Sequence, residues 1–189
     1  MSYTFIECFY EVKILKSWVV LYPITNFNKQ IISWPVRVSV RLGNPMNIVQ
    51  EFQDESLKSR SILVDPFCFA LIVDNLLSNA KRAIEEKTEE GKDPDLRVSV
   101  IISHDNGFIL FEFKDLGNGM SEDTMKSLNE GGQVTTKEAS ASGVHGLGFH
   151  FCRELAKEMG GNLYVKESTL GVGTTVVLEL RVDPESIKS

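Results

Sequence analysis

Apolar and polar positions change their spacing several times along this 189-residue chain, and each change marks an element boundary. In "FCFALIVDNLLSNAKRAIEE", Phe69, Ile72, Val73, Leu76, Leu77, Ala80, Ala83 and Ile84 fall on one broad arc at about 100° per residue, the signature of a half-buried helix. Asp65 before Pro66 supplies an N-cap and a proline at the first helical position, so the helix is predicted from 66 to about 87. The spacing then switches to alternation. "LRVSVIIS" and "GFILFEFKD" read as strands joined through Asp105-Asn106-Gly107, a hairpin signal. "VRVSVRL", residues 36–42, alternates in the same way and predicts another strand. A short helix is expected from Ser121, with Glu122 and Asp123 in the first turn, where the helix dipole favours them. "GLGFHFCRELAKEMGG" predicts a last helix closed by Gly160-Gly161, and "NLYVKES" and "GTTVVLELRV" predict two final strands. Between these elements, 85–95 reads as a charged, solvated loop and 129–145 as a small, polar, flexible one. Residues 1–35 carry aromatic and β-branched residues without a period, broken by Pro23 and Pro35. They are set apart as an unassigned extension, with the domain at 36–183 and a tail at 184–189. The predicted architecture is a two-layer α/β sandwich, a mixed sheet packed on about three helices.

A few polar residues sit where the pattern alone would not place them. Asn75, Asn79 and Arg82 stand at i, i+4 and i+7 on the long helix, on one line at the edge of the apolar face. They are either a half-exposed polar seam or the lining of a groove. Asp115 shares its strand parity with Ile109, Phe111 and Phe113, so its carboxylate points to the buried side. There it costs several kcal/mol unless a hydrogen bond satisfies it. The exocyclic amino group of adenine is a donor that suits such a carboxylate. Thr174 shares a face with Val176, Leu178 and Leu180 and is a second polar group for the same floor. Gly146 and Gly148 open the last helix, where free backbone N–H groups and the dipole favour phosphate. "DLGNGMSED" fails as a calcium loop, because Gly117 stands where a ligand is required.

Composition narrows the function classes. Hydrophobic residues make up 42% and charged residues 24%, ordinary for a chain with a real core. A net charge of −6 argues against broad nucleic-acid binding, which needs a basic footprint. Three scattered cysteines, Cys8, Cys68 and Cys152, fit a reducing compartment and no zinc site, and Cys68 and Cys152 fall within apolar helical patterns. The run "WVVLYPI" is broken by proline and too short to span a membrane, and it lacks the features of a signal peptide. A cytoplasmic protein is expected.

Four stretches in order, "DNLLSNAKRA", "DLGNGM", "TTK…HGLGF" and "GVGTT", resemble the N box, G1 box, lid with G2 box, and closing strand of the GHKL ATP-binding superfamily. The resemblance runs over roughly residues 45–182 and is best with the catalytic ATP-binding domain of sensor histidine kinases. It implies a Bergerat-type fold with a flexible ATP lid, and ATP with Mg2+ as ligands. On that resemblance Asn79 helps hold the magnesium ion, with Asn75 one turn earlier, and Arg82 stands where a phosphate-contacting lysine is usual. Asp115 reads the adenine amino group, while Gly117, Gly119 and Met120 of the G1 box shape the pocket. Gly146, Leu147 and Gly148, with His145 beside them, turn around the phosphates. Lys137 contacts the γ-phosphate, and Thr174 stands beside the adenine. The sequence departs from the pattern at Val144, in place of the first G2 glycine, at Phe149, in place of a leucine, and at Arg82.

Three functions follow from that resemblance. The first is the catalytic half of a histidine kinase, holding Mg·ATP for transfer to a histidine. The second is a clamp-type ATPase, disfavoured because Asn75 stands where those branches carry a water-activating glutamate. The third is a nucleotide-binding module without transfer. Only His104, His145 and His150 occur, with His104 and His150 expected at the surface. The phosphoacceptor is therefore expected on a partner, a response-regulator pathway protein or a missing module, and the isolated chain is expected to be monomeric.

Overall fold

The computed structural model describes residues 20–23, 46–88, 94–131 and 147–183; the strand expected at 36–42 lies outside them. Five strands form one sheet: β2 (Asn47–Phe52), β4 (Arg97–Asp105), β5 (Phe108–Asp115), β6 (Asn162–Thr169) and β7 (Gly173–Arg181), in the spatial order β2-β4-β5-β7-β6. β2 runs parallel to β4 and every other pairing is antiparallel, so the sheet is mixed as predicted. A separate pair, β1 (Val20–Pro23) with β3 (Ser61–Val64), is tied to the end of β7 by a bridge between Ile62 and Val182. Three α-helices are described: α1 (Pro66–Lys87), α2 (Glu122–Glu130) and α3 (Leu147–Glu158).

Local chemistry starts α1 and turns the β4–β5 hairpin where the sequence placed them. The Asp65 carboxylate accepts from the N–H groups of Phe67 (2.8 Å) and Cys68 (3.1 Å), satisfying two of the orphan donors of α1. Asn106 (φ 47°) and Gly107 (φ 84°) both take the left-handed conformation, so the β4–β5 turn is of the type whose twist matches its strands. The α1 residues predicted to face the core do so: Phe69, Ile72, Val73, Leu76, Leu77, Ala80 and Ile84 are buried, with Ala83 half-buried. They meet Val98, Val100 and Ile102 of β4, Ile109, Phe111 and Phe113 of β5, and Leu178 and Leu180 of β7 in one cluster. The rings of Phe69 and Phe111 lie 5.8 Å apart at 56°, a tilted aromatic pair that links helix layer to sheet. Cys68 and Cys152 are buried in this core, and burial pushes their thiols up to about 11 and about 12, which keeps them un-ionised and inert at neutral pH.

Three differences from the sequence reading have physical causes. β1, β2 and β3 were not expected. β1 and β3 span only four residues each, too few to show a period, and β2 is an edge strand whose inward face mixes Gln50 with Ile48 and Phe52. His150, expected at the surface, is half-buried, and its Nδ1 is buried without a hydrogen-bond partner among the described residues. The helical period registers only one buried face, whereas α3 packs against α1 as well as against β6 and β7, so a wider arc is covered. His104 is exposed beside the hairpin turn, as expected.

The edge strand β6 is covered by a side chain rather than by another strand. Val165 N–H donates to Asn129 Oδ1 (2.8 Å) and Asn129 Nδ2 donates back to Val165 O (2.9 Å), so the amide of the α2 residue copies a β-ladder pair. A register shift follows between Val165 and Glu167, which bends the strand away from further pairing. Asn129→Ala is expected to remove both bonds and leave a half-satisfied edge. The loss should be roughly 1–2 kcal/mol, read as a lower midpoint in chemical denaturation with an unchanged slope.

Candidate functional site

β5 ends on Asp115, and its carboxylate is 8% exposed, on the helix-facing side that strand parity predicts. Oδ1 accepts from the backbone N–H of Gly117 at 2.8 Å and from that of Thr174 at 3.3 Å. No described residue bonds Oδ2, so among the described residues the fold uses one carboxylate oxygen. Burial dominates the ionisation of Asp115 and raises its pKa from the usual carboxylate value. The two N–H bonds and then the Lys87 ammonium act in the opposite direction without cancelling it. A buried acid kept this way, with a spare acceptor, is the arrangement that functional sites favour over purely structural ones.

The chain beyond Asp115 turns sharply because there is no room to do otherwise. A Cβ on Gly117 would stand 2.5 Å from the Ala83 Cβ and 2.9 Å from Asp115 Oδ1, so the backbone itself lies against α1. Asn118 N–H donates to Ala83 O (3.1 Å), and Asn118 O accepts from Gly171 N–H (2.7 Å), tying this loop to the helix on one side and to the β6–β7 turn on the other. Gly119 (φ 66°) packs on the carbonyl of Thr169 too closely for any side chain. Half-buried Met120 packs against the core cluster. Thr174 is buried beside Asp115, and a cleft of about 80 Å3 opens at this end of the sheet with Asp115, Ser168, Gly173 and Thr174 among its lining.

The second half of the site is carried by α1 and α3. Asn75 is half-buried and Asn79 exposed, and Asn79 Nδ2 donates to Asn75 Oδ1 at 3.0 Å, which leaves Asn79 Oδ1 as a hard oxygen acceptor on the helix edge. Gly148, in the first turn of α3, packs directly on this pair: a Cβ there would come within 2.6 Å of Asn75 Nδ2. The tertiary structure thus brings the start of α3 against the asparagine line of α1. Arg82, the third member of that line, is exposed. Lys137, His145 and Gly146 lie outside the described residues; Leu147 begins the α3 backbone.

Two residues of this region were not singled out in the sequence. Lys87, in the last turn of α1, donates its ammonium to Leu116 O (2.8 Å) and to Val172 O (3.3 Å), clamping both loops that flank Asp115. Ser168, near the end of β6, accepts from Met120 N–H (2.9 Å) and lies 2.9 Å from Thr174 Oγ1. Neither carries a local signal. A lysine at a helix C-terminus and a serine in a strand are ordinary until the partners, distant in sequence, are known.

The residues present fit an adenine nucleotide with magnesium. Oδ2 of Asp115 is an acceptor with no donor among the described residues, and Asn79 Oδ1 is a second oxygen, on the helix edge where Gly148 packs on Asn75. Among the described residues no group of three or more His, Cys, Asp or Glu is placed to hold a metal by itself. Magnesium in nucleotide sites commonly needs only one or two protein oxygens, the rest coming from phosphates and water.

Comparison with known proteins gives the same direction. Residues 65–184 match the family described as histidine kinase-, DNA gyrase B-, and HSP90-like ATPase. The sensor protein EvgS of Escherichia coli O157:H7 is 32% identical over 122 residues, 65% of this chain and 10% of that protein. The virulence sensor protein BvgS of Bordetella bronchiseptica is 30% identical over 152 residues, 78% of this chain and 12% of that protein. The sensor histidine kinase GraS of Staphylococcus haemolyticus is 30% identical over 109 residues, 57% of this chain and 28% of that protein. The chain therefore spans only about a tenth of the length of the first two relatives. A match that covers most of the sheet and all three helices, joined to a two-layer fold, makes this protein a member of the histidine kinase-, DNA gyrase B-, and HSP90-like ATPase family, with a domain of the histidine-kinase type.

Proposed function

We propose that this domain binds Mg·ATP and presents the γ-phosphate to a histidine carried by a partner or by another part of a longer kinase in two-component signalling. The observation that carries the reading is Asp115: a buried carboxylate with Oδ1 held by two backbone N–H groups and Oδ2 bonded by no described residue, at the end of β5 beside a loop that packs on α1. Oδ2 accepts from the adenine amino group, and Gly117, Gly119 and Met120 shape the wall beside it. Thr174 supplies the second polar contact. Asn79 Oδ1 holds the metal, with Asn75 orienting the Asn79 side chain through the bond between them. The exposed Arg82 and the N–H groups of Leu147 and Gly148 at the start of α3 take the phosphates, with Gly146 assigned beside them on the motif match. Lys137 and His145 are assigned to the phosphates on the motif match alone. Magnesium, held by Asn79, would neutralise phosphate charge during transfer.

Transfer of this kind is mainly positioning and charge stabilisation, so the domain needs no nucleophile of its own. Asn75 carries no carboxylate to activate water, which favours transfer over rapid hydrolysis. A chain that holds nucleotide but labels no histidine partner would mark a binding module instead.

The reading is tested by calorimetric titration of Mg·ADP into the parent and into Asp115→Asn. The asparagine keeps an oxygen for the Gly117 and Thr174 N–H groups but turns a donor toward the adenine donor. Affinity is expected to fall at least about tenfold, roughly 1.4 kcal/mol. Absence of binding by the folded parent would remove the proposal. The same substitution should leave stability equal or higher at neutral pH. The folded-state pKa of Asp115 is raised, so its favourable contribution to stability is complete below the ordinary carboxylate value and is lost as pH rises through the folded value. The amide carries no such loss, so the gap in melting temperature between variant and parent should close on acidification.

Adenosine affinity should fall as pH is lowered through the raised pKa of Asp115, because protonation places a donor opposite the adenine amino group. Adenosine has no phosphate to titrate, so a pH dependence that the parent shows and Asp115→Asn lacks reports the carboxyl. Identical pH profiles for parent and variant across the acid range would show that Asp115 does not read the base. Gly148→Ala, which forces Asn75 out of place, is expected to weaken Mg·ADP binding about tenfold while adenosine binding changes little. Equal losses for both ligands would show that this contact serves the fold rather than the phosphate side.

A further inference from the structure

Ser168 lies outside every motif of the site, yet its hydroxyl joins three parts of it. Met120 N–H, from the loop after β5, donates to Ser168 Oγ at 2.9 Å. Thr174 Oγ1, on β7, lies 2.9 Å from the same oxygen, and Gly173 O lies 3.3 Å from it. Thr174 N–H in turn donates to Asp115 Oδ1, which also accepts from Gly117 N–H. A continuous chain of hydrogen bonds therefore runs from Met120 through Ser168 and Thr174 to Asp115.

Counting protons along this chain shows what Ser168 does. A backbone N–H can only donate, so Met120 occupies one lone pair of Ser168 Oγ. Ser168 has a single proton and two acceptors for it, Thr174 Oγ1 at 2.9 Å and Gly173 O at 3.3 Å. The 2.9 Å contact can be made by either hydroxyl proton. With the Ser168 proton on Thr174 Oγ1, the Thr174 proton points away from Ser168 and Thr174 presents a donor for the base that Asp115 accepts from; with the Ser168 proton on Gly173 O, Thr174 donates to Ser168 instead. An acceptor next to a donor is the complement of the adenine edge, whose amino group lies next to a ring nitrogen acceptor. Without the Ser168 hydroxyl, the Thr174 rotor loses its partner, and Met120 N–H is left unpaired in a half-buried position.

We infer that Ser168 is a positioning residue for nucleotide recognition: its hydroxyl orients the Thr174 hydroxyl as a donor and pins the loop of Met120 to the end of β6. The inference rests on the nucleotide-binding reading above and deepens it, since it assigns base selectivity to a residue that touches no base.

The test is a double-mutant cycle in the full chain, with Ser168→Ala, Thr174→Val and the double variant titrated with Mg·ADP. Each single variant is expected to bind about tenfold more weakly, and the double variant no more weakly than either one, because both remove the same oriented hydroxyl. Ser168→Thr, which keeps the hydroxyl, should restore binding to near the parent. Ser168→Cys, close in size but a poor hydrogen-bonding partner, should behave as Ser168→Ala and serves where the alanine variant does not fold. Amide hydrogen exchange at Met120 gives a ligand-free readout and should speed up in the alanine and cysteine variants. Additive losses in the cycle, or a parent-like affinity in both Ser168→Ala and Ser168→Cys, would overturn the role of Ser168 and leave the nucleotide reading intact. A folded parent that does not bind Mg·ADP would remove both.

Discussion

One buried carboxylate sets the terms for the rest of this domain. Asp115 ends a core strand with its side chain on the helix-facing side, among Phe111, Phe113 and the apolar face of α1. Charge in that position is unfavourable, and the structure reduces the cost with two backbone N–H groups and a nearby lysine rather than with a buried ion pair. Those N–H groups belong to Gly117 and Thr174. Satisfying the carboxylate therefore fixes the loop that follows β5 and the start of β7 in one step. Lys87 does the same from outside, holding Leu116 and Val172 by their carbonyls.

Because the compensation falls on Oδ1, the other oxygen is left without a donor among the described residues. The domain keeps a strained feature of this kind at a place where a fold selected for stability alone would carry an amide or a hydrophobe. The packing around it follows the same logic. Glycines 117, 119 and 148 all stand where backbone meets another element too closely for a side chain, and each of these contacts borders the candidate site rather than the middle of the core. The core itself is conventional: aliphatic and aromatic residues from α1, β4, β5 and β7 in one cluster, with two inert thiols inside it.

Membership of the ATPase family and likeness to sensor histidine kinases agree with this geometry, and the two rest on different grounds. The family match reads the order of residues along residues 65–184. The geometry shows that Asn75, Asn79 and Gly148 meet, and that Asp115 and Thr174 meet, although each set is dispersed in sequence. Asn129, which pairs with the backbone of β6 in place of a neighbouring strand, and Ser168, which joins the two loops, belong to no motif and contribute through contact alone.

Much of this was legible in the chain itself. The helix from Pro66 to Lys87, the hairpin through Asn106-Gly107, the last two strands and the inward direction of Asp115 all follow from periodicity, caps and strand parity, which are local properties. So does the edge position of Asn75 and Asn79. The tertiary structure alone decided which of these local features meet. Short strands such as β1 and β3 hold too few residues for a period and exist through pairing with each other and, for β3, with the end of β7. The partial burial of His150 comes from helix packing on a second side, which no single-helix pattern contains. The choice of Oδ1 over Oδ2, the clamp by Lys87 and the hub at Ser168 depend on hydrogen bonds between residues tens of positions apart, and a hydrogen bond has no sequence signature until both of its partners have been brought within about 3 Å.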